Sequence, residues 1–348
     1  MARWMYGTDN YSLPCDGMVM AMLAHSVSML LIKVAITNGI NKYVMVAYSY
    51  SLSTIMLLPF LFFLHSRSKR PSLTLSALCA FFLLSLFGSS GDMMTYAGIE
   101  LSSPTLASAM LSLVPAFTFV LALIFRMEEV HWTHYSSQAK VLGTIVSIAG
   151  AFVMILYKGP TIFAIVSDSS NKLQFSPQLN WVVGGIFCVG SSLVSSMWYI
   201  YQASVAKKYS SVTVIVFFQL LFSTILSVVI ALIKVSDPTE WKLKLDMGLI
   251  AILYQAIGAT LIRYTLCTWC VHRTGPLFCA MFKPLGIIFT VCMGAIFLGD
   301  DFNLGSVIGS AIISVGFYAL VWGKYKEESN IENLGSSSHN APLLQYVA

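Results

Sequence analysis

Apolar residues recur in blocks of about 20, the length a helix needs to cross roughly 30 Å of hydrocarbon. They occupy residues 17–37, 43–64, 73–98, 102–125, 139–157, 181–205, 211–233, 247–271, 276–298 and 303–322. The blocks are continuous, without the alternation of a membrane barrel strand. A backbone in lipid must satisfy its own hydrogen bonds, so each block predicts a helix. The short links from Ile99 to Leu101 and from His272 to Gly275 join their neighbours as antiparallel hairpins. The pattern predicts an all-α integral membrane protein of ten transmembrane helices.

Composition agrees and narrows the class. Of 348 residues 57% are hydrophobic and 10% charged, against about 25% charged in soluble domains. Mean hydropathy is +0.77. A soluble fold, a disordered chain, a collagen-like repeat and a nucleic-acid-binding arm are excluded. The net charge of +5 is scattered between apolar blocks, so the basic residues read as topology signals. A cytosolic N-terminus gives that side eleven Lys and Arg: Arg3, Arg67, Lys69, Arg70, Arg126, Lys140, Lys207, Lys208, Arg273, Lys324 and Lys326. The other side receives six, namely Lys42, Lys158, Lys172, Lys234, Lys242 and Lys244. Both termini are therefore expected in the cytosol. Residues 1–16 lack a basic stretch, apolar run and cleavage site, so the first span is expected to target the chain, and the sequon at Asn10 to stay unglycosylated. Tyr157 and Trp181 on one side and Trp322 on the other fit interfacial aromatic belts. The tail from Lys324, rich in Ser, Asn and Glu, reads as disordered.

Comparison of the chain with itself reveals two halves. Pro104 precedes Glu128-Glu129 by 24 residues, and Pro276 precedes Asp300-Asp301 by the same 24. Gly143, Gly150 and Lys158 recur as Gly309, Gly316 and Lys324, each offset by 166. Two five-helix repeats follow, at 17–157 and 181–322, joined by a loop at 158–180 and flanked by a cytosolic N-terminus (1–16) and tail (323–348). Because five is odd, the second repeat enters the membrane from the opposite face. Inverted repeats of this kind build transporters with a substrate site near the midplane. Gly143 with Ser147, and Gly305 with Gly309, place small residues where helices can approach closely.

Polar residues inside spans are costly and mark candidate sites. Lys33 is close enough to its helix end to snorkel. Asp92 lies about two turns inside the third span and should face the interior, as cavity lining or a proton site. Arg263 and Lys283 each carry a charge able to bind a carboxylate, Arg as a bidentate fork; snorkelling of both to the cytosolic headgroups is the alternative. Lys283 precedes Pro284, and Pro115 lies in the fourth span; each proline frees a carbonyl and opens a local break. Trp198, Tyr199, Tyr201 and Gln202 in the sixth span, Gln219 in the seventh, and Tyr254 and Gln255 in the eighth suit a small amphipathic ligand, or bond one helix to another. His25 fits a proton relay or a hydroxyl partner.

Catalytic signals are weak. His131 and His134 have HxxH spacing rather than the HExxH of zinc proteases. Cys267 and Cys270 sit in a membrane span, and the seven cysteines suggest neither a disulfide framework nor a metal site. No P-loop or GxGxxG is present, so neither ATP-driven pumping nor any cofactor is indicated, and the protein is not expected to be an enzyme.

Several runs are recognisable together. Ala107-Ser108-Ala109 through Val114-Pro115-Ala116-Phe117-Thr118-Phe119, Ile124-Phe125-Arg126-Met127-Glu128, Gln138-Ala139-Lys140-Val141-Leu142-Gly143-Thr144 and Leu156-Tyr157-Lys158-Gly159-Pro160 closely resemble the plant Walls-Are-Thin-related family. Its members are also called usually-multiple-acids-move-in-and-out transporters. Trp198 with Gln202, Trp269-Cys270, Gly275-Pro276 and Phe297-Leu298-Gly299-Asp300 continue the match, over residues 17 to 324. The resemblance implies two EamA-type repeats within the drug/metabolite transporter superfamily. It also implies facilitative or proton-linked movement of amino acids, or of auxin and related indolic acids, across the plasma membrane or the vacuolar membrane. Lys33 matches a basic residue frequent at the end of the family's first helix. Asp92 stands where a Gln is common and Ser112 where an Asn is common, so charge and amide differ at the centre.

The expectation is a carrier of amino acids or related carboxylate metabolites working by alternating access. Asp92, Ser112, Trp198, Gln202, Tyr254, Arg263 and Lys283 are its candidate substrate-binding residues. His25, Lys33, Gln219 and Gln255 are candidates for gating or proton linkage. Its partners are a small-molecule substrate and the bilayer, not nucleic acid; substrate, flux direction and oligomeric state stay open. A nucleotide-sugar or phosphate-ester exchanger would want several converging cations, of which only Arg263 and Lys283 qualify. A lipid-modifying enzyme would need a nucleophile with its base or a metal cluster at one membrane face. The repeat argues against a non-transporting receptor. In the tail, Leu343-Leu344 lacks the acidic residue of a dileucine sorting signal, His339 standing in its place.

Overall fold

The computed structural model describes residues 12–65, 74–125, 135–157, 161–163, 177–209, 211–243, 247–283, 285–286, 289–290, 293–294 and 302–339. Asn10, Glu128-Glu129, His131, His134, Lys158, Pro284, Asp300-Asp301 and Leu343-Leu344 lie outside them. The helices in chain order are α1 (Ser12–Thr37), α2 (Lys42–His65), α3 (Leu75–Leu101), α4 (Pro104–Leu111), α5 (Val114–Ile124), α6 (Tyr135–Leu156), α7 (Pro177–Lys208) and α8 (Val212–Lys234). Then come α9 (Met247–Tyr254), a π-helical stretch (Gln255–Ile262), α10 (Arg263–Thr274), α11 (Pro276–Ala280) and α12 (Leu304–His339). Among the described residues seven helices are long and apolar enough to cross a membrane.

Local chemistry sets the ends. Thr74 caps α3 by accepting the Ala77 N–H at 3.3 Å. Ser103 caps α4 by accepting the Leu106 N–H at 3.1 Å, with Pro104 pre-set for the first helical position. At the other end of α3, Lys33 Nζ donates to the carbonyls of Ile99 (3.0 Å) and Ser102 (2.9 Å). Gly39 and Gly275, at φ of 88° and 93°, supply the left-handed turns after α1 and α10. A 3-10 turn at Pro238–Trp241 follows α8, and Tyr48 on α2 ties it down by donating to the Trp241 carbonyl at 2.9 Å. The Asp237 carboxylate caps that turn, and the Thr239 N–H holds its carboxyl below the usual range.

The helix contacts come in exchanged pairs. α3 packs along α7, and the eighth span, from α9 to α10, packs along α1; α2 packs on α8 and α6 on α12. A Cβ on Gly150 would meet the Ile313 N at 2.9 Å and the Gly309 O at 3.0 Å, while Gly143 faces the Gly316 carbonyl. Gly143 and Gly309 are repeat equivalents, as are Gly150 and Gly316, so each glycine meets the other pair's counterpart. That exchange is what a two-fold axis requires, with α6 and α12 antiparallel across it. Ser147 marks the crossing, its hydroxyl donating at 3.4 Å to the carbonyl of Ile313, the residue exactly 166 positions on.

The structure departs from the sequence expectation in several places. The fourth span is two helices, because Pro115 has no N–H to give Leu111 and the chain turns at Ser112 and Leu113. The second span, expected at 43–64, is one helix of 24 residues. In the ninth span, α11 (Pro276–Ala280) ends in a turn at 281–283, and helix is seen again at 285–286, 289–290 and 293–294. The helix α12 continues to His339, past 322 and into the stretch expected to be disordered. Thr161–Phe163 in the connecting loop pairs antiparallel with Phe302–Asn303. Tyr157 and Trp322 are exposed as belt residues should be, but Trp181 is buried in the core and anchors the bundle from inside.

Candidate functional site

The interior charges gather where α3, α7, α10 and the turn after α11 meet. Asp92 on α3 accepts from Tyr50 Oη at 2.8 Å, Tyr264 Oη at 3.1 Å and Arg263 Nη2 at 3.3 Å. Arg263 is 7% exposed, and its Nε donates at 2.6 Å to the carbonyl of Ala259. The guanidinium also lies 4.6 Å from the centre of the Tyr264 ring. Lys283 is 4% exposed, its Nζ 5.7 Å from the centre of the Tyr199 ring, within cation–π range. Among the described residues no carboxylate forms a salt bridge with it. With Asp92 and Arg263 cancelling, the site holds one net positive charge.

Three backbone irregularities position these groups. The π-helical stretch at Gln255–Ile262 ends at Arg263; its wide turns leave carbonyls off the ordinary ladder, a feature that concentrates at functional sites. Ser53 Oγ satisfies the Ala256 carbonyl at 2.7 Å, as Arg263 does Ala259. At the α4–α5 break, hydroxyls from α7 bond carbonyls on either side of it, Ser192 donating to Met110 at 2.7 Å and Ser196 to Val114 at 3.0 Å. Lys283 sits in the turn after α11, held by its N–H to Ala280 at 3.1 Å and its carbonyl to the Gly286 N–H at 2.9 Å. Ser26 on α1 donates to the Gly286 carbonyl at 3.1 Å. The first helix of each half thus repairs the broken helix of the other, as neighbours must where water is absent.

Between these groups lies a cavity of about 20 Å³, lined among others by Gly88, Asp92, Trp198, Tyr199, Arg263 and Lys283. That is room for a water molecule or two. Trp198 packs edge-on to Tyr199 and Tyr264, with ring centres 4.9 and 5.5 Å apart. Asp92, Trp198, Arg263 and Lys283 come together as expected. His25 lies half-buried on α1. The other candidates do not line this cavity. Ser112 is buried at the helix break and donates to the Ser108 carbonyl at 3.3 Å. Gln202 donates to Thr268 Oγ1 at 2.6 Å, and Tyr254 to the Ala24 carbonyl at 3.3 Å. Gln255 bridges Tyr96 on α3 and Ser28 on α1. Lys33 neither snorkels freely nor faces the cavity: it caps α3, because the last carbonyls of that helix need donors and lie within its reach. Gln219 is fully buried and hydrogen-bonds nothing among the described residues.

A model of the EamA-like transporter family matches residues 17–156 and again 182–322. The WAT1-related protein At5g40240 of Arabidopsis thaliana is 40% identical over 352 residues, covering 99% of this chain and 95% of its own. WAT1-related protein At3g28100 of the same plant is 41% identical, covering 90% of this chain and 91% of its own. This chain is a WAT1-related member of the EamA-like transporter family. A crystal structure with a TM-score of 0.59 at 14% identity, covering 92% of this chain and all of its own, shares the fold. The protein is thus a multi-pass membrane transporter, its family pointing to transport rather than to enzymatic chemistry.

For this EamA-like transporter, sequence reasoning missed Tyr50, Tyr264 and Gly88. Tyrosines are ordinary in membrane helices, and only the fold aims two of their hydroxyls at one carboxylate. Gly88 carries no chemistry of its own, and the π-helical stretch holds no proline or motif to mark it, only Gly258, a residue type common in membrane helices.

Proposed function

We propose that this transporter moves amino acids or related carboxylate metabolites, auxin-like indolic acids included, by alternating access around the cavity between its two halves. Ten spans with both termini in the cytosol, in the plasma membrane or the vacuolar membrane, belong to the same proposal, as does facilitative or proton-linked flux. The observation that carries it is Lys283. An ammonium buried in the membrane is expensive unless a partner completes it, and Lys283 has a cavity before it and, among the described residues, no carboxylate of its own. One unbalanced positive charge matches one substrate carboxylate. Arg263, by contrast, is already committed to Asp92, so the two cations divide between a ligand seat and a structural pair. The aromatic walls of Trp198, Tyr199 and Phe87 suit the apolar part of a small acid.

The cavity is too small for such a ligand as it stands, so loading requires the halves to part. The broken helices on either side of the two-fold axis are the natural places to bend. Uptake and efflux of labelled amino acids and indole acids, measured in proteoliposomes or in cells with surface abundance quantified, test the reading. Lys283→Ala is expected to abolish flux with abundance intact. Unchanged flux in that variant removes Lys283 from the mechanism.

A further inference from the structure

Beside the charged groups lies a second, neutral recognition point. The indole Nε1 of Trp198 and both amide atoms of Gln219 make no hydrogen bond among the described residues, although Trp198 is 4% exposed and Gln219 fully buried. Buried polar atoms without partners cost free energy and need an explanation. Both converge on Gly88. A Cβ at that position would lie 3.1 Å from Tyr264 Oη, 3.2 Å from Gln219 Nε2 and 3.4 Å from Trp198 Nε1. Because residue 88 is glycine, three polar groups from α7, α8 and α10 close around bare α3 backbone, in a nook beside the cavity that is tight even for a methyl group.

We propose that this nook, widened when the halves part, is a substrate subsite for a neutral group that both accepts and donates hydrogen bonds, best met by a carboxamide. The assignment rests on the transporter reading above and names part of its substrate class. Trp198 Nε1–H and Gln219 Nε2–H are two donors for one carbonyl oxygen. Tyr264 gives its proton to Asp92, so its oxygen faces the nook as an acceptor for the amide N–H, and Gln219 Oε1 is a further buried acceptor without a partner among the described residues. A second carboxylate would meet those acceptors and the nearby Asp92 charge, and an alkyl group would leave every one of them unpaired. Lys283 takes the substrate carboxylate at the other end.

Binding of glutamine, glutamate and norleucine to the purified full-length protein, measured calorimetrically, tests the subsite. Wild type is expected to prefer glutamine over both others by about 10-fold or more, the size of one to two buried hydrogen bonds. Gly88→Ala fills the nook with a methyl that its neighbours accommodate by shifting a few tenths of an ångström. Gln219→Leu removes one of its donors without blocking it. Each variant should erase the preference while norleucine binding stays within about twofold, and thermal melting confirms that each is folded. If wild type binds all three amino acids equally, or the variants weaken all three alike, the subsite is refuted and the transporter reading stands. If wild type binds none of them, nor any indole acid, both fall.

Discussion

Removing the Asp92 carboxylate should cost the protein far more than its modest exposure suggests. In the pair, the Arg263 and Asp92 side chains are 8% and 17% exposed, with 3.3 Å between Nη2 and Oδ2. Asp92→Ala leaves the guanidinium uncompensated inside the bundle, an operation that costs about 3–5 kcal/mol for buried pairs. The hydroxyls of Tyr50 and Tyr264 lose their acceptor as well, at about 1 kcal/mol each and not additively. Asp92 keeps some contact with the cavity, so the lower end, about 3 kcal/mol, is the working figure. Asp92→Asn retains the two tyrosine hydrogen bonds and should lose about half as much. Thermal unfolding in detergent, followed by dye labelling of the buried Cys188, Cys267 and Cys279, reports the loss. At about 2 °C per kcal/mol for a large domain, Asp92→Ala should melt roughly 6 °C below wild type. In the double variant with Arg263→Leu the charge problem disappears, so its loss should fall short of the sum of the two single losses by at least about 1 kcal/mol. A melting point within about 1 °C of wild type for Asp92→Ala, or strict additivity in the cycle, would refute the pairing as a structural element.

The crossing of α6 and α12 offers a steric test. A Cβ on Gly316 would lie 2.6 Å from the Ser147 N, which belongs to helix backbone, so Gly316→Ala should cost about 1–3 kcal/mol by overpacking. Gly17→Ala meets nothing nearer than a Leu266 side-chain carbon at 3.6 Å and should be neutral or stabilising; equal melting points for the two would contradict the tight crossing. Lys33→Met removes two charge-assisted bonds to the end of α3 and should cost about 1–3 kcal/mol without changing substrate affinity. An altered affinity with unchanged stability would return Lys33 to the gating residues.

Which parts of this could be read from the chain depended on the range of the interaction. The spans were legible because lipid imposes a length and a polarity on every segment that crosses it, and the halves because a proline-to-acid spacing and three recurring residues survive in both. Asp92, Arg263 and Lys283 stood out for the same reason, since an ionisable group in a span is expensive wherever it points. What each one does was not legible. Arg263 and Lys283 look alike in sequence, yet one finds Asp92 at 3.3 Å and the other faces a cavity. Gln202, Tyr254 and Gln255 were as plausible as Trp198, and became ties between helices once Thr268, Ala24 and Tyr96 turned out to be their neighbours.

The amino-acid order alone determined that this protein lives in a membrane, as helices in two related halves, because burial in hydrocarbon acts on each segment separately. Only the tertiary structure decided which charge is spent and which is free, where the helices break, and that Trp198, Gln219 and Tyr264 surround the missing side chain of Gly88. Those facts depend on contacts between residues tens to hundreds of positions apart, and such contacts exist only after the two halves have packed across their common axis.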